Sequence, residues 1–182
     1  MNDIPPKKLN LGCGTDIRRG WVNLDKVSLP GVDIAHDLES LPLPFPDESF
    51  EHVFAKDVLE HVNYVDLIRD IHRILRPGGI LEVQVPHFTS TDNYVDPTHI
   101  KRFSIRTFDF FVKDQQALRS YYFDFHYSYV ASRKLRFYRG PLLWDYIVEP
   151  LVNLHFKIQK YYELTFVSRL FPAQNIQLTL VK

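Results

Sequence analysis

The sequence predicts an α/β fold built on a mostly parallel sheet. Short apolar runs typical of strands alternate with turns and with one strongly amphipathic helix, and strands joined in this way lie parallel. Two glycines directly follow the first run, as they do where a backbone passes close to a ligand. With 182 residues, 45% of them apolar, the chain can bury one core, and we expect a single domain over residues 1–182.

The elements follow in order along the first half. Apolar runs bounded by turn-forming residues predict strands at residues 9–11, 21–24, 32–34 and 50–55. A helix is predicted over residues 64–76, where apolar residues recur at helical spacing, Asn63 can cap the start and the Pro-Gly-Gly of residues 77–79 ends it. Residues 80–85 predict a fifth strand.

Ligands of parallel sheets bind beyond the carboxyl ends of the strands. Gly12 and Gly14 follow the first predicted strand, and Asp25 follows the second, where a carboxylate can bind ribose hydroxyls. The pattern therefore predicts a crevice for a nucleoside cofactor. Cys13 lies between the glycines with no histidine near it in sequence, so we interpret it as a small residue of the loop rather than a nucleophile.

Four segments carry a family resemblance: LNLGCG, VNLD, DLESLPLPFPDESFEHVFAKDVLEHV and IHRILRPGGILEVQVPH. Together they cover residues 9–87 and resemble the class I S-adenosylmethionine-dependent methyltransferases. The resemblance implies a Rossmann-like three-layer sandwich with seven strands, the last antiparallel, and S-adenosylmethionine as cofactor, with S-adenosylhomocysteine as product. DPTHIKRFSIRTFDFF also resembles a segment of small methyltransferase-like proteins encoded among surface-polysaccharide genes.

The resemblance also implies roles for individual residues. It places Gly12, Cys13 and Gly14 along the amino acid and ribose of the cofactor, and Asp25 at the ribose hydroxyls. It places Asp37 and Leu38 beside the adenine, and Lys56 beside the methionine portion. Two alternatives stay open: Asp37 can instead cap a turn before Ser40, and we interpret His61 of the LEH segment as structural.

The first crossover departs from the family. Only 11 positions separate Gly14 from Asp25, whereas about 20 residues are usual between the glycine loop and the acid in such folds. We therefore expect a loop or a single turn in place of the first helix, with a weaker helix-terminus contribution to cofactor binding. Residues 1–87 form the predicted cofactor-binding half, and residues 88–171 are expected to supply the substrate lid.

The second half is rich in aromatic residues. Ser104 can cap a helix that carries Phe108, Phe111, Val112 and Leu118 on one face, and alternating aromatics at residues 123–129 predict a strand. These rings either pack in the core or line an apolar or sugar-binding pocket. Residues 176–181 predict a final strand, which the family places antiparallel to its neighbours.

An apolar stretch at residues 142–171 follows a basic cluster. The cluster comprises Arg133, Lys134, Arg136 and Arg139. No window of the stretch has the uncharged length of a membrane span, and Pro150 is expected to kink or split it into two helices. Its apolar face can cover the sheet, form a homodimer through residues 141–171, or lie on a membrane surface.

Methyl transfer to an oxygen or nitrogen is the predicted chemistry, with a small molecule, a glycan or a lipid-linked intermediate as acceptor. A hydroxyl acceptor needs a base, and we expect His87 or His99 in that role, oriented by Asp96. The same three residues have acceptable metal-ligand types, but their spacing matches no compact metal motif, so we expect no metal there. Alternatively, Asp96 merely opens a turn before Pro97.

Composition and charge bear on the rival functions. The 22 basic and 22 acidic residues balance, which argues against nucleic acid as substrate. Residues 1–86 hold 14 acidic and 9 basic side chains and residues 87–182 hold 8 and 13, which suits a cationic cofactor in the first half. Ile17 stands where a nicotinamide-binding loop needs its third glycine. A methyltransferase fold that has lost catalysis and serves as a binding partner remains the main alternative.

The cellular compartment is also an expectation. Cys13 is the sole cysteine, so no disulfide forms within the chain, and the first ten residues lack the apolar core of a secretory signal. We therefore expect a reducing cytoplasm.

Overall fold

Seven strands form one sheet in the computed structural model of the chain, which describes residues 8–113, 120–138, 140 and 143–182. The order across the sheet is β3-β2-β1-β4-β5-β7-β6, with β7 antiparallel to both neighbours and β1 to β5 parallel. The predicted fold class, including its antiparallel last strand, is therefore confirmed. The strands are β1 (Lys8–Leu11), β2 (Val22–Asp25), β3 (Ile34–Ala35), β4 (Phe50–Lys56), β5 (Leu75–Pro86), β6 (Tyr129–Phe137) and β7 (Ala173–Val181).

Among the described residues the α-helices are fewer than the strands. They are α1 (Tyr64–Ile74), α2 (Asp92–Val95), α3 (Asp145–Val152), α4 (Phe156–Leu164) and α5 (Val167–Leu170), with short 3₁₀ segments at Thr107–Phe111 and Ser120–Tyr122. No described helix is long and apolar enough to cross a membrane.

Helix α1 ends two residues before its predicted end. Leu75 already pairs with Phe50 of β4, so the chain has become strand at that point. The Gly78 N–H then donates to the Lys182 carbonyl, and the Gly79 carbonyl accepts from the Lys182 N–H. The Pro-Gly-Gly segment thus belongs to β5, because the backbone of Lys182 supplies hydrogen-bond partners to Gly78 and Gly79 as a neighbouring strand does.

The first crossover has no helix, as predicted. Residues 12–21 turn from β1 into β2, and two buried asparagines hold them. The Asn23 side chain accepts from the Arg18 N–H at 2.9 Å and donates to the Arg18 and Trp21 carbonyls, while Asn10 donates to the Asp16 carbonyl at 2.6 Å. Amide side chains from two neighbouring strands thus bond the backbone N–H and C=O groups that would otherwise bond each other within a helix.

One face of the sheet carries the core. Its fully buried residues come from alternate positions of the strands, and the buried apolar residues of α1 belong to the same core. The other face is mostly polar around β5, where Glu82 and Gln84 are half-buried and bond His52, Asp57 and Gln177. The core residues of the strands are Leu9, Leu11, Val53, Ala55, Leu81, Val83, Val85, Ile176, Leu178 and Leu180.

The predictions for residues 104–139 were partly wrong. The expected helix is a 3₁₀ turn that buries Phe108 and Phe111, and Leu118 and Arg139 lie outside the described residues. The expected strand at residues 123–129 is instead irregular, and β6 runs through the basic cluster. Arg133 points to the core side because its guanidinium pairs with Asp109 at 2.6 Å and donates to the Ile105 carbonyl.

The apolar stretch divides into separate helices after Pro150 rather than at it. Pro150 lies inside α3, and the chain leaves the helix at Asn153, three residues later. The Asn153 side chain accepts from the Leu135 N–H at 2.8 Å and donates to the Leu135 carbonyl at 2.7 Å. Asn153 thus bonds β6 as a neighbouring strand would. Because β6 is an edge strand, this contact covers backbone groups that could otherwise pair with another chain.

Candidate active site

The glycine loop lies at the carboxyl end of β1, where the sequence predicts it. Gly12 has a φ of +62°, and a Cβ there would collide with the Val58 side chain. Gly14 has a φ of +49°, but nothing lies within 4 Å of the place a Cβ would take. Cys13 is buried, and burial raises the pKa of its thiol, so it is not a poised nucleophile. The loop therefore has open space directly above Gly14.

Asp25 ends β2 beside this loop. One carboxylate oxygen accepts from the Gly14 N–H at 2.7 Å and the other accepts from the Val27 N–H at 2.9 Å. The carboxylate thus fixes the loop and the turn after β2 relative to each other. Asp25 lies at the end of β2, as the sequence predicts, and its role at the ribose stays a prediction.

The other predicted cofactor residues follow β3 and β4. Asp37 pairs with Lys26 at 2.8 Å and accepts from the Glu39 N–H at 3.1 Å, so it also caps a turn. The hydrogen bond from Lys26 lowers the pKa of Asp37, which keeps it ionised. Leu38 is buried, and its side chain packs in the core. Lys56 is exposed at the end of β4.

His87 is closed off from solvent. It is 0% exposed, and both ring nitrogens have partners: Nδ1 lies 2.6 Å from the Thr89 hydroxyl and Nε2 lies 3.0 Å from a Glu163 oxygen. Burial lowers the pKa of His87, so the ring is held neutral. These contacts suit a histidine that ties β5 to α4, and the structure pairs Asp96 with His99 rather than with His87.

His99 belongs to a cluster that also contains Glu60, His61 and Asp96. Its Nε2 lies 3.6 Å from Asp96 Oδ2 and 3.9 Å from Glu60 Oε1. The rings of His61 and His99 meet edge to face with centroids 4.6 Å apart. The backbone brings these groups together because the Ile100 N–H donates to the Glu60 carbonyl at 3.0 Å.

Glu60 is the residue of this cluster that sequence reasoning missed. Its side chain is 0% exposed, and neither carboxylate oxygen has a hydrogen-bond partner among the described residues. Burial, together with the nearby charges of Asp57 and Asp96, raises the pKa of Glu60 to about 8. The available signal is that Glu60 follows the apolar pair Val58-Leu59 shortly after β4, in the LEH segment where the sequence predicts only a structural histidine.

A cavity of about 320 Å³ opens at this cluster. Its lining includes Asp57, Glu60, Asp96 and His99, and no described lysine or arginine lines it. Asp57 and Glu60 flank Val58, the residue that packs against Gly12. The acidic cavity therefore adjoins the glycine loop along the carboxyl edge of the sheet.

Comparison with known proteins places this edge in a family context. Residues 11–83 match the family model described as a methyltransferase domain. A demethylmenaquinone methyltransferase from Listeria welshimeri is 33% identical over 66 residues, which are 36% of this chain and 28% of that protein. The match thus spans less than a third of the length of that relative.

Solved structures resemble the chain over nearly all of its length. A SAM-dependent methyltransferase from Archaeoglobus fulgidus has a TM-score of 0.59 at 15% identity, covering 99% of this chain and 87% of the other. The cyclase SpnF has a TM-score of 0.57 at 19% identity, covering 97% of this chain and 75% of its own. Residues 11–83 therefore match a methyltransferase domain, and the whole chain has the fold of the S-adenosylmethionine-dependent methyltransferases.

Proposed function

We propose that the protein transfers a methyl group from S-adenosylmethionine to an oxygen or nitrogen of its acceptor. The observation that carries the proposal is the junction of the glycine loop with Asp25, whose carboxylate accepts from the Gly14 N–H at 2.7 Å. The junction lies at the carboxyl ends of two adjacent parallel strands, where such sheets bind their ligands. It also lies inside the stretch that matches a methyltransferase domain.

The residues at this edge fit S-adenosylmethionine. The open space above Gly14 leaves room for the amino acid and ribose of the cofactor, and a side chain at that position would reduce it. Asp25 and Asp37 offer carboxylates to the ribose hydroxyls and the adenine amine. The acidic cavity next to the loop complements a sulfonium cation. Bound there, the cofactor supplies an activated methyl group.

The reaction is a displacement. A lone pair of the acceptor atom forms a bond to the methyl carbon while the carbon–sulfur bond breaks. The electron pair of the broken bond stays on sulfur, and S-adenosylhomocysteine is released. The protein mainly aligns the two reactants. A hydroxyl acceptor also loses its proton, and His99 lines the cavity beside Asp96, whereas both ring nitrogens of His87 are occupied. We therefore assign His99 to the acceptor side and His87 to positioning β5 against α4.

A catalytically lapsed binding protein is the second candidate. The missing first crossover helix favours it, because a helix N-terminus at the glycine loop normally adds to cofactor binding. The similarity to a cyclase also illustrates that this fold hosts other reactions.

Release of S-adenosylhomocysteine distinguishes the two candidates. Each methyl transfer releases one molecule of it, so purified protein is incubated with S-adenosylmethionine and panels of sugars, phenols, amines and lipid-linked glycans. We expect acceptor-dependent release that is lost in Asp25→Ala. Binding of S-adenosylmethionine without release for any acceptor class would contradict methyl transfer and favour the lapsed protein.

The helical surface of residues 143–170 bears on the acceptor class. Large apolar residues are exposed along it at spacings of three and four: Trp144, Ile147, Leu151, Leu154, Ile158 and Tyr161. Leu164, Phe166 and Leu170 extend this surface, with Phe166 75% exposed. So many large apolar residues exposed within one segment favour an interaction site.

The acidic side chains of this segment are buried, whereas two of its basic side chains are exposed. Its three acids point inward, since Asp145 and Glu149 are buried and the Glu163 side chain is only 10% exposed. Lys157 and Arg169 are exposed. The outer surface is therefore apolar and cationic, which is complementary to an anionic lipid surface. A twofold pairing of two copies would instead bring like charges together.

We infer that residues 143–170 rest on an anionic membrane and that the acceptor is lipid-linked. A second cavity, of about 380 Å³, supports this proposal, because Lys160 and Leu164 of α4 line it together with Phe88 and Arg106.

Sedimentation with vesicles tests the surface. We expect binding to vesicles of phosphatidylcholine mixed with phosphatidylglycerol, and much weaker binding to phosphatidylcholine alone. Lys157→Ala should weaken binding about fivefold, since a basic residue near such a surface contributes about 1 kcal/mol. Ile147→Glu with Leu151→Glu should abolish it, while Tyr121→Glu, at an exposed tyrosine elsewhere, should not. A stable dimer that binds neither type of vesicle would overturn the membrane proposal.

A further inference from the structure

A buried carboxylate stands beside two histidines without a hydrogen-bond partner of its own. Glu60 is 0% exposed, and both its oxygens lack partners among the described residues. The buried Nδ1 of His99 lacks one as well. Burial of a carboxyl group without partners is strongly unfavourable, whether it is charged or neutral. A group from outside the described residues would satisfy the Glu60 carboxylate.

The spacing of the cluster suits a metal ion. Glu60, His61 and His99 each offer one ligand atom, and these atoms all lie within 4.8 Å of one another. His99 Nε2 is 3.9 Å from Glu60 Oε1, which is too long for a hydrogen bond. It is close to the separation of about 3.4 Å between two ligands of a tetrahedral Zn²⁺ at about 2.1 Å.

The neighbours of His61 prepare it as a ligand. The Thr98 hydroxyl donates its proton to Asp96 Oδ1 at 2.6 Å, so the Thr98 oxygen accepts a hydrogen bond from His61 Nδ1 at 2.8 Å. His61 is then the tautomer that carries its proton on Nδ1, and its Nε2 keeps a lone pair. Asp96 thus orients His61 through the Thr98 hydroxyl, and an outer-shell hydrogen bond that fixes the tautomer and the ring is usual for a metal-binding histidine.

We propose that Glu60, His61 and His99 bind a divalent transition-metal ion, with one coordination position open to the acidic cavity. Two imidazoles and a carboxylate suit Zn²⁺ and its first-row neighbours. The set differs from the trio considered from sequence, because Glu60 and His61 take the places of His87 and Asp96. Asp57 and Asp92 also line the cavity and add negative charge that attracts a cation.

The role of the ion, unlike its binding, rests on the proposed function. A hydroxyl acceptor bound at the open position would lose its proton more readily to Asp57 or to water in the cavity, because the metal stabilises the alkoxide. The ion would then replace His99 as the group that activates the acceptor. Metal binding itself is measured without cofactor or acceptor, so its failure and the failure of methyl transfer are separate results.

Calorimetric titration of chelator-treated, tag-free protein with Zn²⁺ tests the proposal. We expect one ion per chain, and Co²⁺ should give the visible absorption of a low-symmetry site. Glu60→Gln and His99→Asn should each weaken Zn²⁺ binding at least a hundredfold. Thr98→Val should weaken it about tenfold or more, as expected for loss of an outer-shell partner.

His36→Asn is the matched control. His36 lies after β3 and bonds the Ser40 carbonyl, away from the cluster, so its replacement should leave Zn²⁺ affinity unchanged. Absence of Zn²⁺ binding in the wild type would overturn the proposal. Equal binding by the wild type and folded His99→Asn protein would also overturn it, because the ion would then lie elsewhere.

Discussion

Replacement of the two loop glycines by alanine should have very different effects on stability. Both residues have positive φ, which costs alanine about 1–2 kcal/mol, partly offset by about 0.4–1 kcal/mol from the less flexible unfolded chain. At Gly12 the new Cβ would also collide with Val58, a stiff and buried side chain. Overpacking of this kind adds about 1–3 kcal/mol.

Gly12→Ala should therefore lower the free energy of unfolding by about 2–4 kcal/mol, and Gly14→Ala by about 1 kcal/mol or less. For a chain of this size, 1 kcal/mol corresponds to about 2–4 °C in Tm. Urea and thermal unfolding, followed by circular dichroism, measure the free energy of unfolding and the Tm of each variant. Gly14→Ala should instead weaken cofactor binding, because its methyl group enters the open space above the loop.

The double variant Gly12→Ala with Val58→Ala tests the cause. Removal of the Val58 methyl groups should recover about 1–2 kcal/mol of the loss at Gly12, a coupling normal for residues in contact. Equal losses for the two glycine variants, or strict additivity in the double variant, would refute the packing argument.

Three further predictions concern other parts of the molecule. Asn153→Ala should lower the free energy of unfolding by about 1–3 kcal/mol, because it leaves the Leu135 N–H and carbonyl unpaired, and hydrogen exchange of the Leu135 amide should accelerate; unchanged exchange would contradict this. Burial lowers the pKa of His72 below its ordinary 6.5, so the unfolded chain takes up the proton more readily and stability should fall as pH drops below about 6.5; His72→Phe should flatten that pH dependence. Asp37→Ala should weaken binding of S-adenosylmethionine in calorimetry but leave Tm unchanged, since its pair with Lys26 is exposed, and a fall in Tm would show a structural role instead.

The sequence predicts the cofactor half of the fold well because its signals are local. Each strand of that half is an apolar run next to turn residues, and the short interval from Gly14 to Asp25 leaves no room for a helix. The loop, the acid and their shared edge of the sheet follow from these facts. Parallel pairing then brings Gly14 and Asp25 into hydrogen-bond contact.

The elements that sequence reasoning missed depend on distant partners. The charged residues of β6 resemble an exposed basic patch in the sequence. In the structure Arg133 pairs with Asp109, which lies 24 positions earlier in the chain. The Glu60 cluster forms only because the chain after Asp96 folds back onto the Glu60 carbonyl. No periodicity reports such contacts, since they arise from tertiary packing rather than from local pattern.

Calorimetric titration with S-adenosylmethionine and S-adenosylhomocysteine tests the central claim most directly. We expect micromolar binding, about −8 kcal/mol, that disappears in Asp25→Ala while circular dichroism shows the fold intact. Absence of heat for either ligand up to millimolar concentration would contradict a cofactor site at the loop and Asp25.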